Sequence, residues 1–156
     1  MASLQVTISE SVSLNNQPIE LIHRKTISGV NDIFRRIVTI AAGDDATVLL
    51  FKSTTAISDG ALDLNNVKYF RVTNLDSSNS VNMSLQMDTG EDNTAADVQC
   101  TILLEAGKSF MMGAADEAIQ VHDSSATIST ALTDLESILI DPGSNEVQIE
   151  VFAATS

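Results

Sequence analysis

The chain is poor in aromatic residues. It has no tryptophan and one tyrosine, and aromatics make up 4% of its 156 residues. Carbohydrate-binding sandwiches stack sugar rings on aromatic platforms, and Tyr69 alone is thin material for one. It has a single cysteine, Cys100, so no intrachain disulfide can form. In DVQCTILLE that cysteine alternates with Val98, Ile102 and Leu104, which predicts a small buried hydrophobe. No neighbouring base or cation is available to make it a thiolate nucleophile. Seven glycines and two prolines build no phosphate-cradling loop. The HExxH, GxSxG and CxxC spacings are missing as well. His23 and His122 are the only histidines, and Arg24 and Lys25 beside His23 oppose a metal there. The expectation is a protein that is not an enzyme, with no cofactor and no metal.

Two further absences narrow the partners. No apolar run approaches the roughly 20 residues that span a bilayer. The opening MASLQVTISES has neither a basic region nor a continuous apolar one, so no secretory signal is expected. The net charge is −13, far from the basic footprint that nucleic acid requires. The expected partners therefore include no nucleic acid and no membrane.

The charge is unevenly placed. Residues 1–71 hold seven Lys/Arg and seven Asp/Glu, whereas residues 72–156 hold Lys108 against fourteen acids. The second half thus carries the whole excess. An acidic surface of this kind favours solubility and repels anions.

What the chain has in quantity is alternation of apolar and polar residues, the mark of half-buried strands. VKYFRVTNLDSSNSVNMSLQM, residues 67–87, consists of two alternating runs around a polar break at residues 76–79. The break has turn chemistry, which predicts a β-hairpin. In the register that keeps one face apolar, Val72 faces Met83 and Phe70 faces Leu85. Further strands are expected at 3–14, 19–27, 47–52, 98–105, 109–112, 118–122, 136–140 and 147–151. Residues 30–40, VNDIFRRIVTI, fit either a helical stripe or a strand, and their β-branched content favours the strand. Asp141-Pro142-Gly143-Ser144 is a strong turn signal. The fold class expected is all-β, an antiparallel β-sandwich or jelly roll of about eight to eleven short strands forming one domain over 1–156.

Two groups of charged residues stand out. Asp88, Glu91, Asp92 and Asp97 crowd one loop, but without the spacing of an EF-hand, so an ordinary solvated loop is expected. Arg24, Lys25, Arg35 and Arg36 are the possible interface residues. Adjacent residues of a strand point to opposite faces, so they cannot all line one patch. Solvating a strand edge is the competing use of such pairs.

The hairpin segment, together with LLEAGKSFMMG, LTDLESILI and VQIEVFAATS, resembles small structural proteins of tailed-phage virions, and most of all β-sandwich head-decoration (cement) proteins. The resemblance spans roughly residues 19–155 and carries no diagnostic site motif. It implies a bacteriophage capsid protein without catalysis, made in the host cytoplasm and located on the capsid surface of the virion. It further implies a homo-oligomer, commonly a trimer, bound to the major capsid protein. The alternatives are a tail or fibre-associated virion sandwich and, from a different class, a carbohydrate-binding module.

Overall fold

A computed structural model describes residues 2–53, 60–87, 98–121, 128 and 131–156. The acidic loop 88–97 and His122 lie outside the described residues. The chain is all-β, with eleven strands in three sheets among the described residues.

The first sheet is a long two-stranded ribbon. Strands β1 (Ala2–Leu14) and β2 (Gln17–Val30) pair with each other in antiparallel register and with no other described strand. Asn15 and Asn16 join them with φ of 51° and 61°. A two-residue hairpin turn of this twist needs positive φ at both positions, which asparagine tolerates better than most residues.

The other two sheets form a sandwich. One has the order β3 (Asp32–Ile40), β11 (Val147–Thr155), β6 (Val67–Asn74) and β9 (Ser109–Met112), all antiparallel. The second has the order β5 (Leu62–Asp63), β4 (Ala46–Lys52), β10 (Leu135–Asp141), β7 (Val81–Met87) and β8 (Val98–Leu104). In it only the short β4–β5 pair is parallel. The ambiguous segment 30–40 supplies strand β3, as its β-branched content favoured. Asp141 and Gly143 make the expected turn, with the Gly143 N–H donating to Asp141 Oδ1 at 2.7 Å.

The core lies between the two sheets, where Phe70, Val72, Ile149 and Val151 from one meet Met83, Ile138 and Ile140 from the other. Phe70 is fully buried, with its ring centroid 5.4 Å from that of Phe51 and 6.4 Å from that of Phe110. The polarity pattern of residues 67–87 therefore identified core residues, since Phe70, Val72, Met83 and Leu85 are all buried.

The hairpin expected there does not form. β6 and β7 lie in different sheets, and residues 75–80 arch across the end of the sandwich. Val72 pairs with Val151 and Phe110, not with Met83, and Leu85 pairs with Ile138 and Cys100, not with Phe70. Alternation shows which face of a strand is buried. It is equally satisfied by a partner in the same sheet and by one across the core. The arch is held by side chains. Asn74 is buried and donates to the carbonyls of Asn79 at 2.8 Å and Leu104 at 3.2 Å. Asp76 Oδ1 accepts from the N–H groups of Asn79 at 2.7 Å and Ser78 at 2.8 Å. Those two N–H groups hold the Asp76 carboxyl below its ordinary range.

Two smaller expectations are also corrected. Residues 118–121 form no strand, only one isolated bridge from Ile119 to Thr133. The turn at residues 116–117 just before them cuts the segment short. Cys100 is half-buried, not enclosed, because β8 is at the edge of its sheet among the described strands.

Candidate interaction surface

The ribbon is amphipathic. Residues opposite one another in an antiparallel pair project to the same face. The register therefore puts Leu4, Val6, Ile8, Glu10, Val12 and Leu14 on one face with Gln17, Ile19, Leu21, His23, Lys25 and Ile27. The other face is built largely of Ser3, Thr7, Ser9, Ser11, Ser13 and Arg24. A strand pair of this composition normally lays its apolar face on a core. Here only the base does so, where Leu4, Val6 and Ile27 are half-buried. Grooves run between this base and the outer face of the four-stranded sheet, lined by Val6, Ile8, Tyr69 and Met111. Further out the apolar face is bare: Val12 is 56% exposed, Leu14 61% and Leu21 62%. A two-stranded ribbon is at best marginally stable in water by itself, so this exposure is a cost that a partner would remove.

The outer face of the four-stranded sheet is the second part of the surface. Glu150 on β11 stands at its centre and is 8% exposed. Its Oε1 accepts from Arg35 Nε at 2.9 Å and Nη2 at 2.6 Å, and its Oε2 accepts from Arg71 Nη2 at 2.5 Å. Arg35 and Arg71 come from the strands on either side of β11, so one carboxylate joins three strands. The hydrogen bonds from Arg35 are the largest influence on the Glu150 carboxyl and hold it below its ordinary range; burial opposes them and Arg71 supports them. Beside this group Tyr69 meets Phe152 edge-on, with centroids 6.2 Å apart. Burial raises the Tyr69 hydroxyl above its usual range, with Arg71 pulling the other way. On β3, Ile33 and Ile37 flank Arg35 on the same face and are both 52% exposed.

The four basic residues singled out from the sequence are dispersed. Lys25 lies on the apolar face of the ribbon opposite Val6, and Arg24 on the polar face opposite Thr7. Arg35 points outward to Glu150. Arg36 turns the other way, its guanidinium carbon 5.8 Å from the centre of the Phe34 ring. No single patch collects them. Sequence reasoning missed the exposed apolar residues of the ribbon because alternation reads as half-buried strand whether or not a partner is present in the chain. It also missed Glu150, which looks like any polar residue in VQIEVFAATS. Its signal was a lone acid in a strand whose neighbours β3 and β6 each place an arginine opposite that face.

Among the described residues no cluster of three or more metal-ligating side chains occurs. No buried side-chain nitrogen or oxygen lacks a hydrogen-bond partner there. Among the described residues no helix is long and apolar enough to cross a membrane.

No family model matches the chain, and no curated protein does. One solved structure is similar, a chain from Bacillus endospore appendages, described as a novel family of disulfide-linked pili. The alignment covers 83% of this chain and 95% of that one, with 12% identity and a TM-score of 0.35.

Proposed function

We propose that this chain is a non-enzymatic structural protein of a virion, a capsid decoration protein that self-associates as a trimer and binds the outside of a phage head shell. The observation that carries this reading is the amphipathic ribbon, whose outer apolar face is exposed on the isolated chain. Such a face has its use in an assembly. The charge split supports the same reading. The ribbon and β3 belong to the neutral half, where close contact is not opposed by like charge, and the acidic half suits an outward, solvated surface. The four-stranded sheet presents an outer face whose central carboxylate is paired with two arginines, so covering it buries no bare carboxylate, and the positive charge left over on the trio suits an acidic partner group.

The test is co-sedimentation of the purified protein with phage heads that lack it. Saturable binding at a fixed ratio to the major capsid protein, weakened by salt because exposed charges are screened, is the expected result. Failure to bind heads, together with binding to tail or fibre components, would move the protein elsewhere on the virion. Binding to a polysaccharide and to no virion part would replace the reading with a carbohydrate-binding one.

A further inference from the structure

The outer half of the ribbon and the β3 strip carry matching patterns. On the apolar face of β1, Ile8, Glu10 and Val12 follow one another at alternate positions. On the outer face of β3, Ile33, Arg35 and Ile37 do the same. Alternate residues of a strand are about 6.6 Å apart, so both strips have the same pitch: apolar, charged, apolar. The charges are opposite. Arg35 gives its Nε and Nη2 to Glu150, its side chain is 65% exposed, and its Nη1 makes no hydrogen bond among the described residues. A second carboxylate can therefore dock there without displacing the first.

We infer that the outer half of the β1–β2 ribbon seats its apolar face on β3 of a second copy of this chain, with Glu10 meeting Arg35 between the flanking apolar side chains. Val12, Ile33 and Ile37 are each more than half exposed, so the described residues of the same chain leave them uncovered. The ribbon's base is already packed beside β6 and β9 of its own sandwich, which commits the outer half to reach past that body. Charge favours this partner over a contact of two bodies. Residues 1–30 balance Glu10 and Glu20 against Arg24 and Lys25, so the entire −13 lies on residues 31–156. Two bodies repel, whereas a neutral ribbon approaches an acidic body unopposed. Covering Val12, Leu14, Ile19 and Leu21 removes a patch on the order of 400 Å² from water, the scale at which exposed apolar surface marks an interaction site. Because the contact joins two different surfaces, it is heterologous: it closes into a ring where the rotation allows and extends as a chain where it does not.

This inference rests on the assembly reading but involves no shell, so its failure leaves the co-sedimentation test standing. The experiment uses two full-length variants altered at exposed positions outside the core. The ribbon variant carries Val12→Asp and Leu21→Asp, and the strip variant carries Ile37→Asp. Sedimentation velocity at micromolar concentration reads the mass of each, and urea midpoints confirm that both are folded. The wild type is expected to exceed the 16.6 kDa of one chain, and each variant alone to lose association by about tenfold or more. An equimolar mixture should recover a complex of two chains, since the intact ribbon of one variant still fits the intact strip of the other. The milder Glu10→Gln should weaken association and flatten its salt dependence. A ribbon variant that associates like the wild type overturns the inference, as does a strip variant that does so, which would mean ribbons pack on ribbons. Two monomeric variants that stay monomeric when mixed overturn it too.

Discussion

Replacing Phe70 with alanine tests whether the sandwich core is built across the two sheets as described. Phe70 is fully enclosed, with one ring neighbour, Phe51, from the opposite sheet and another, Phe110, from the adjacent strand β9. Burying a phenylalanine side chain is worth about 1.5–3 kcal/mol by area. Each aromatic neighbour adds about 0.5–1.5 kcal/mol, and the truncated site keeps a cavity between two rigid sheets. These contributions place the loss in the range of about 3–5 kcal/mol seen for buried phenylalanines. Urea unfolding at low protein concentration, where association does not contribute, reads this directly. With a slope of about 2 kcal/mol/M the midpoint should fall by roughly 2 M. Phe152→Ala supplies the control, because Phe152 lies on the outer face and is only partly buried; its cost should be well below half as large. A loss under about 1 kcal/mol for Phe70→Ala, or one no greater than that for Phe152→Ala, would refute the packing.

Three other outcomes are expected. Asn74→Ala removes the side chain that bridges the arch and leaves the buried Leu104 carbonyl short of a donor; unfolding stability should drop by about 2–3 kcal/mol, and no drop would mean that the arch is held otherwise. Glu150 has a folded pKa below its unfolded one, so its contribution is complete above the ordinary carboxylate range and is lost as pH falls through the depressed folded value. In urea titrations from pH 7 to pH 3, Glu150→Gln should therefore lose stability at neutral pH and show a shallower acid decline than the wild type; an unchanged acid decline would remove Glu150 from the account. For Asp76→Asn, whose carboxyl is held low by the Asn79 and Ser78 N–H groups, the same titration should also lose part of its acid limb, and identical curves would argue against those hydrogen bonds in solution.

The sandwich was legible in the sequence because period-two alternation reports burial, and all the described strands but β5 are long enough to show it. The connectivity of β6 and β7 was not legible for the same reason. Phe70 and Leu85 are apolar in phase in either arrangement, and what separates them is the partner on the far edge, β11 for one strand and β10 for the other. Residues of β11 are some eighty positions from β6, and no local pattern names that pairing. The short β5, with two residues, lies below the length at which alternation can be recognised. The candidate interaction surface was half legible. The charge split and the basic residues of the neutral half were visible, but they pointed to cations as the contact. The structure disperses Arg24, Lys25, Arg35 and Arg36 and also exposes the apolar side chains between Ile8 and Leu21. Only the absence of a covering strand distinguishes such residues from core, and that absence is a property of the fold.

Sedimentation velocity of the unaltered chain and of the ribbon variant, from below 1 μM to tens of μM, bears most directly on the claim that the ribbon is an assembly surface, since association follows mass action. The account predicts a mass that rises with concentration above 16.6 kDa for the unaltered chain, and a rise displaced to about tenfold higher concentration or beyond for Val12→Asp with Leu21→Asp. A single species of 16.6 kDa at every concentration of the unaltered chain would contradict it.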